Sequence, residues 1–161
     1  MPFVRLPAAG RDRHWLVEGR ARVLPCGMKP ILAVFAGGVL GTAARVALDT
    51  ALPHGDTGFP LSTLLINIVG SLALGFLVAG VWPKVSGTVR ALLGPGVLGS
   101  FTTFSALAVS LVTLAADGQF LLGAAYLLLS LVFGFGAAAV GLLLGARYAR
   151  RPAGGAGGRF G

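Results

Sequence analysis

Gly99-Ser100-Phe101-Thr102-Thr103-Phe104-Ser105-Ala106-Leu107 lies within an apolar segment covering residues 89–115. At about 1.5 Å per helical residue, such a segment is long enough to cross the roughly 30 Å hydrocarbon core of a bilayer. It is preceded by Gly94-Pro95-Gly96. Gly94, Gly96 and Gly99 lower helix propensity, and Pro95 lacks an amide donor and disfavours the helical conformation at Gly94. A spanning segment that unwinds must satisfy its freed backbone groups inside protein or against an ion. Carbonyls and hydroxyls gathered at membrane depth are the raw material of an ion site. The plainer reading is a kinked helix whose Ser and Thr hydroxyls bond back to their own backbone. Composition alone favours the kink; the density of the cluster and its surroundings shift the balance towards the ion site.

The rest of the chain supports a membrane setting. Of its 161 residues 55% are hydrophobic and only 11% charged, with a mean hydropathy of +0.86, whereas a soluble domain carries about 25% charged residues. The net charge of +8 raises the question of nucleic acid. The basic residues sit at segment ends, however, so membrane orientation explains them and no nucleic-acid partner is expected. The single cysteine, Cys26, precludes an internal disulfide and has no metal-ligand spacing around it. His14 and His54 fall outside the apolar segments, which leaves no buried His relay, and no enzyme is expected.

Four apolar segments are read at 31–52, 60–82, 89–115 and 120–147. The connections 53–59, 83–88 and 116–119 are short, so consecutive helices are antiparallel neighbours in an all-α integral membrane protein. Residues 1–27 carry five arginines and lack an apolar run of signal-peptide length. Met28 is therefore read as the start, with 1–27 either a dispensable basic extension or a mis-assigned upstream stretch, 28–147 the four-helix domain and 148–161 a basic, Gly-rich tail. Gly37-x-x-x-Gly41 and Gly141-x-x-x-Gly145 are spacings that let helix backbones approach closely. Lys29, Lys84, Arg90, Arg147, Arg150 and Arg151 all fall on one side of a four-span arrangement, while Asp49, Asp56 and Asp117 mark the other. The positive-inside rule then places both termini in the cytoplasm.

Several polar residues fall inside the spans. Arg45 is the one basic residue within a span; it either faces a water-filled vestibule, where it would attract an anion, or snorkels to the outer interface. Thr63, Asn67 and Ser71 recur at i, i+4, i+8, about 6 Å apart along one helix face. Three aligned neutral donors suit an anion path better than simple interhelical glue. Tyr126 and Ser130 share the same i, i+4 relation, and no Asp or Glu lies in the central part of any span. Neutral donors plus one arginine suit an anion.

Taken together, Gly38-Val39-Leu40-Gly41-Thr42-Ala43-Ala44-Arg45, Ser62-Thr63-Leu64-Leu65-Ile66-Asn67-Ile68-Val69-Gly70-Ser71 and Gly99-Ser100-Phe101-Thr102-Thr103-Phe104-Ser105 resemble the Fluc (CrcB) fluoride-channel family, in order and over residues 28 to about 147. The resemblance implies an antiparallel, dual-topology dimer of four-helix subunits with a broken third helix and two fluoride pores at the interface. It implies passive export of fluoride across a prokaryotic inner membrane. It also implies a central Na⁺ held by the backbone carbonyls of Gly99 and Thr102. Arg45 matches the family's vestibule arginine; Thr63, Asn67, Tyr126 and Ser130 match its polar track, which continues through Thr103 and Ser105. Phe104 would offer a ring edge to fluoride.

Two features depart from the pattern. Where the family commonly has a second phenylalanine, three residues after the first, this chain has Leu107. The strong charge bias also differs from homodimeric members, so the partner is either a second copy or a paralogue of opposite topology. Two other readings compete with a fluoride channel. A small four-span drug/proton exchanger fits the length but would need a mid-membrane carboxylate. A non-conducting subunit of a heteromeric channel has only Leu107 in its favour.

Overall fold

The structure, a computed structural model, describes residues 27–52 and 58–150. Expectations for the extension, for Cys26, His14, His54 and Asp56, and for residues 151–161 lie outside the described residues.

Four helical spans are present, Met28–Ala51, Leu61–Lys84, Gly87–Ala116 and Phe120–Ala149, of 24, 24, 30 and 30 residues. The first is α1 (Met28–Ala51), which starts after an extended Gly27. Pro30 sits in its first turn, where a missing amide hydrogen costs nothing. The second is α2 (Leu61–Phe76), which loosens into a π-helical turn at Leu77–Val81 and tightens into a 3₁₀ turn at Trp82–Lys84. The last is α6 (Phe120–Ala149), entered through a turn in which Gly118 takes φ 73°, a value that glycine adopts without a Cβ penalty. Each helix extends a few residues beyond the apolar run that announced it, because Lys29, Lys84, Tyr148 and their neighbours continue the backbone hydrogen bonding into the interface.

The third span is assembled from pieces. Ser86 caps α3 (Gly87–Ala91) by accepting from the Val89 amide at 3.4 Å. Residues Leu92–Leu98 form a π-helical stretch around Pro95. The wider turn absorbs the missing donor and the ring bulk that Pro95 brings to a helix interior. The short α4 (Gly99–Phe101) follows. Thr102 (φ −75°, ψ 152°) and Thr103 (φ −146°, ψ 120°) are extended, and α5 (Phe104–Ala116) resumes beyond them.

Two pairs of parallel spans pack through bare backbone. A Cβ on Gly37 would collide with the Leu92 carbonyl, and one on Gly41 with the Val97 carbonyl, so α1 lies directly on the π-helical stretch. In the same way Gly141 of α6 meets the Leu72 carbonyl, Gly75 of α2 meets the Ala138 carbonyl, and Gly145 lies on Gly80. The α2–α6 contact is the most extensive in the subunit. Close approach of this kind replaces the hydrophobic driving force that lipid cannot supply. Buried side chains are few, chiefly Tyr126, Ile66, Leu114 and Ser62, whereas Phe35, Leu121 and Phe135 lie on the outside, as membrane-facing side chains do. Lys84 Nζ stands 4.7 Å from the Tyr148 ring centroid, which puts the ends of the second and fourth spans together on the basic side.

Candidate functional site

The extended pair Thr102–Thr103 is the centre of the polar residues, and Asn67 holds it. Asn67 Oδ1 accepts from the Thr103 amide at 2.9 Å, and Asn67 Nδ2 donates to the Thr103 carbonyl at 3.0 Å. One side chain thus replaces both helical hydrogen bonds that an extended residue gives up. Thr103 Oγ1 in turn caps α5 by accepting from the Ala106 amide at 3.2 Å, and lies 3.1 Å from Ser105 Oγ. Thr102 turns its hydroxyl back to the Leu98 carbonyl at 2.9 Å, and its amide donates to the same oxygen. Gly70 makes room for it, since a Cβ there would strike the Thr102 methyl.

This arrangement redirects donors away from two particular carbonyls. In a continuous helix the Thr103 amide would donate to Gly99, but it donates to Asn67. The Ala106 amide would donate to Thr102, but it donates to the Thr103 hydroxyl. Gly99 and Thr102 thereby lose their ordinary helical donors. No cluster of His, Cys, Asp or Glu suited to a metal occurs among the described residues.

Two cavities flank the Asn67–Thr103 clasp, and Thr103 lines both. One, of about 200 Å³, is walled by Arg45, Val46, Asp49, Thr63, Ile66, Thr103 and Ala106. Arg45 is half-buried there. The other, of about 500 Å³, runs past Asn67, Ser71, Trp82, Gly99, Thr102 and Phe104. The face shared by Thr63, Asn67 and Ser71 therefore opens onto successive cavities: Thr63 on the first, Asn67 and Ser71 on the second. Phe104 is 81% exposed, so its ring is offered outward.

Tyr126 and Ser130 lie behind Thr63. The Tyr126 side chain is fully buried, packed edge-on against Phe59 at 5.5 Å and in a cluster with Leu64 and Leu107. Its hydroxyl lies among those of Ser110, Ser130 and Thr63, yet neither it nor Ser130 Oγ makes a well-formed hydrogen bond within the subunit. Leu107, at the expected second aromatic position, is 8% exposed and packs in this interior with Leu64 and Tyr126. Asp49 was read from the sequence only as a marker of the non-basic side, and Ser110 was not singled out. Ser110 lies in α5, four residues after the apolar Ala106, so no polar periodicity marked it.

The sequence profile of the family described as CrcB-like protein, Camphor Resistance (CrcB), matches residues 32–142. A fluoride-specific ion channel FluC of Deinococcus radiodurans is 44% identical over 117 residues, covering 69% of this chain and 90% of the relative. The Idiomarina loihiensis protein of the same name is 39% identical over 113 residues, covering 69% and 88%. The Rhodospirillum centenum protein is 40% identical over 121 residues, covering 73% and 95%. These relatives are named as channels and not as enzymes, and the chain is not an enzyme. With four membrane-spanning helices and relatives of this closeness across most of its length, the chain belongs to the CrcB-like protein family.

Proposed function

We propose that the chain forms a fluoride channel through which fluoride leaves the cytoplasm passively, across a prokaryotic inner membrane. The observation that carries this reading is the closeness of relatives named fluoride-specific ion channels, 38–44% identical over most of their length. The site chemistry agrees with it. An anion leaving water needs donors that hold it without a full opposing charge, because conduction requires that it also leave. Thr63, Asn67, Thr103, Ser105, Tyr126 and Ser130 supply hydroxyls and an amide, and Arg45 supplies one cation at a cavity wall. The orphaned Tyr126 and Ser130 hydroxyls are donors with capacity to spare. The 81% exposure of Phe104 supports its ring edge as a contact completed between subunits.

The same reading includes an antiparallel dimer whose third helices, each broken at Thr102–Thr103, meet at a Na⁺. Gly99 and Thr102 fit this role because their carbonyls have lost their helical donors, and a hard cation takes oxygen ligands. When bound, the ion would supply fixed positive charge at the subunit contact. A drug/proton exchanger gains nothing from the structure: the two described carboxylates, Asp49 and Asp117, lie at helix ends.

The deciding experiment is fluoride efflux from liposomes containing purified protein, with chloride as the comparison anion. Rapid fluoride loss with chloride retained is the expected result. Retention of both anions would reject the function.

A further inference from the structure

The cavity at Arg45 contains a charge that the anion path does not require. Asp49 follows Arg45 by one helical turn and lines the same 200 Å³ cavity. Its carboxylate accepts from the fully buried Ser62 hydroxyl at 2.6 Å, across the junction of α1 and α2. Among the described residues it makes no ion pair with Arg45, although Arg and a carboxylate at i, i+4 ordinarily can meet. Ser62 therefore holds the carboxylate aside, close enough to act on the same space as Arg45 through the field alone.

We propose that Asp49 is a rate-setting residue, a fixed negative charge that weakens anion capture by Arg45 at the mouth of the path. This rests on the fluoride-channel reading above. An unopposed arginine in a partly enclosed vestibule would hold an anion well, and an anion held well leaves slowly. A carboxylate one turn away lowers the local anion occupancy without occupying the path itself. Across about 6 Å in water, one unit charge changes the occupancy of a unit anion about threefold. The effect passes through solvent, so it must shrink with ionic strength: the screening length falls from about 30 Å at 0.01 M salt to about 3 Å at 1 M.

The test is the half-saturating fluoride concentration for efflux from liposomes, measured at both ionic strengths with an impermeant salt. Asp49→Asn keeps an oxygen for the Ser62 hydroxyl and removes the charge, exchanging the other carboxylate oxygen for an amide donor. It is expected to lower half-saturation about threefold at low ionic strength and to match wild type at high ionic strength. Asp49→Glu, which restores the charge, is expected to return the wild-type value. An Asp49→Asn protein that matches wild type at low salt overturns the proposal, as does one whose shift persists unchanged at high salt. Asp49→Glu behaving like Asp49→Asn also overturns it, since a restored charge would then fail to restore the wild-type value. Wild-type protein that carries no fluoride would instead reject the function itself, and that outcome is separately visible.

Discussion

At the scale of single residues, Asn67 and Phe104 have opposite structural positions, and this makes their roles separable. Asn67 accepts from the Thr103 amide and donates to the Thr103 carbonyl, so Asn67→Ala strands a backbone donor and acceptor as well as removing a cavity-lining amide. Each buried unsatisfied group costs about 1–3 kcal/mol. The expected outcome is a lower thermal unfolding midpoint in detergent together with loss of most fluoride efflux. Phe104, 81% exposed on the subunit, contributes little to its own chain's packing. Phe104→Ala is expected to leave subunit unfolding near wild type while cutting efflux at least tenfold. Wild-type transport by well-folded Phe104→Ala protein would remove the ring from the path. The alignment of Thr63, Asn67 and Ser71 was legible from spacing alone. That Asn67 clasps Thr103 was not, because periodicity tells which residues share a face and is silent about what the facing element offers them. Tyr126 beside Leu107 was hidden for the same reason.

At the scale of elements, the four spans could be read from hydropathy because lipid penalises every interruption of an apolar helix. The π-helical turns at Leu77–Val81 and Leu92–Leu98 could not, since propensity marks where a helix weakens without saying how the backbone accommodates it. Glycine spacing was a partial guide. Gly37, Gly41, Gly141 and Gly145 all abut backbone, but Gly136 in the same helix meets nothing within 4 Å of its would-be Cβ. The pair Gly141→Ala and Gly136→Ala therefore isolates close packing from helix propensity. Gly141→Ala forces α6 away from the Leu72 carbonyl and is expected to cost about 1–3 kcal/mol, the usual penalty of overpacking. Gly136→Ala, with open space around it, is expected to be neutral or slightly stabilising. Equal unfolding midpoints for the two variants would show that the α2–α6 seam yields more easily than bare backbone contact implies.

At the scale of the whole molecule, the antiparallel dimer proposed above raises the question of how one chain would supply both orientations. Lys29, Lys84, Arg90, Arg147 and Arg150 lie at the same end of the four spans, an arrangement supported by Lys84 over the Tyr148 ring. Asp49 and Asp117 lie at the other end. Insertion follows the Lys/Arg distribution in short loops and near span ends, so most copies are expected to insert with both described ends on the cytoplasmic side. Copies in a single orientation cannot be their own antiparallel partners. A paralogue of opposite bias would complete the dimer, and could bring the aromatic side chain that Leu107, turned into its own subunit against Leu64 and Tyr126, does not present. The opposing consideration is energetic: insertion bias is statistical, and a stable dimer would draw on a minority of inverted copies by mass action. Expression of this chain alone, in cells lacking their own fluoride export, separates the two. Heteromeric assembly predicts termini on one side of the membrane and no gain in fluoride resistance until a second, oppositely biased chain is added. Resistance from the single chain, with termini found on both sides, would establish the homodimer instead.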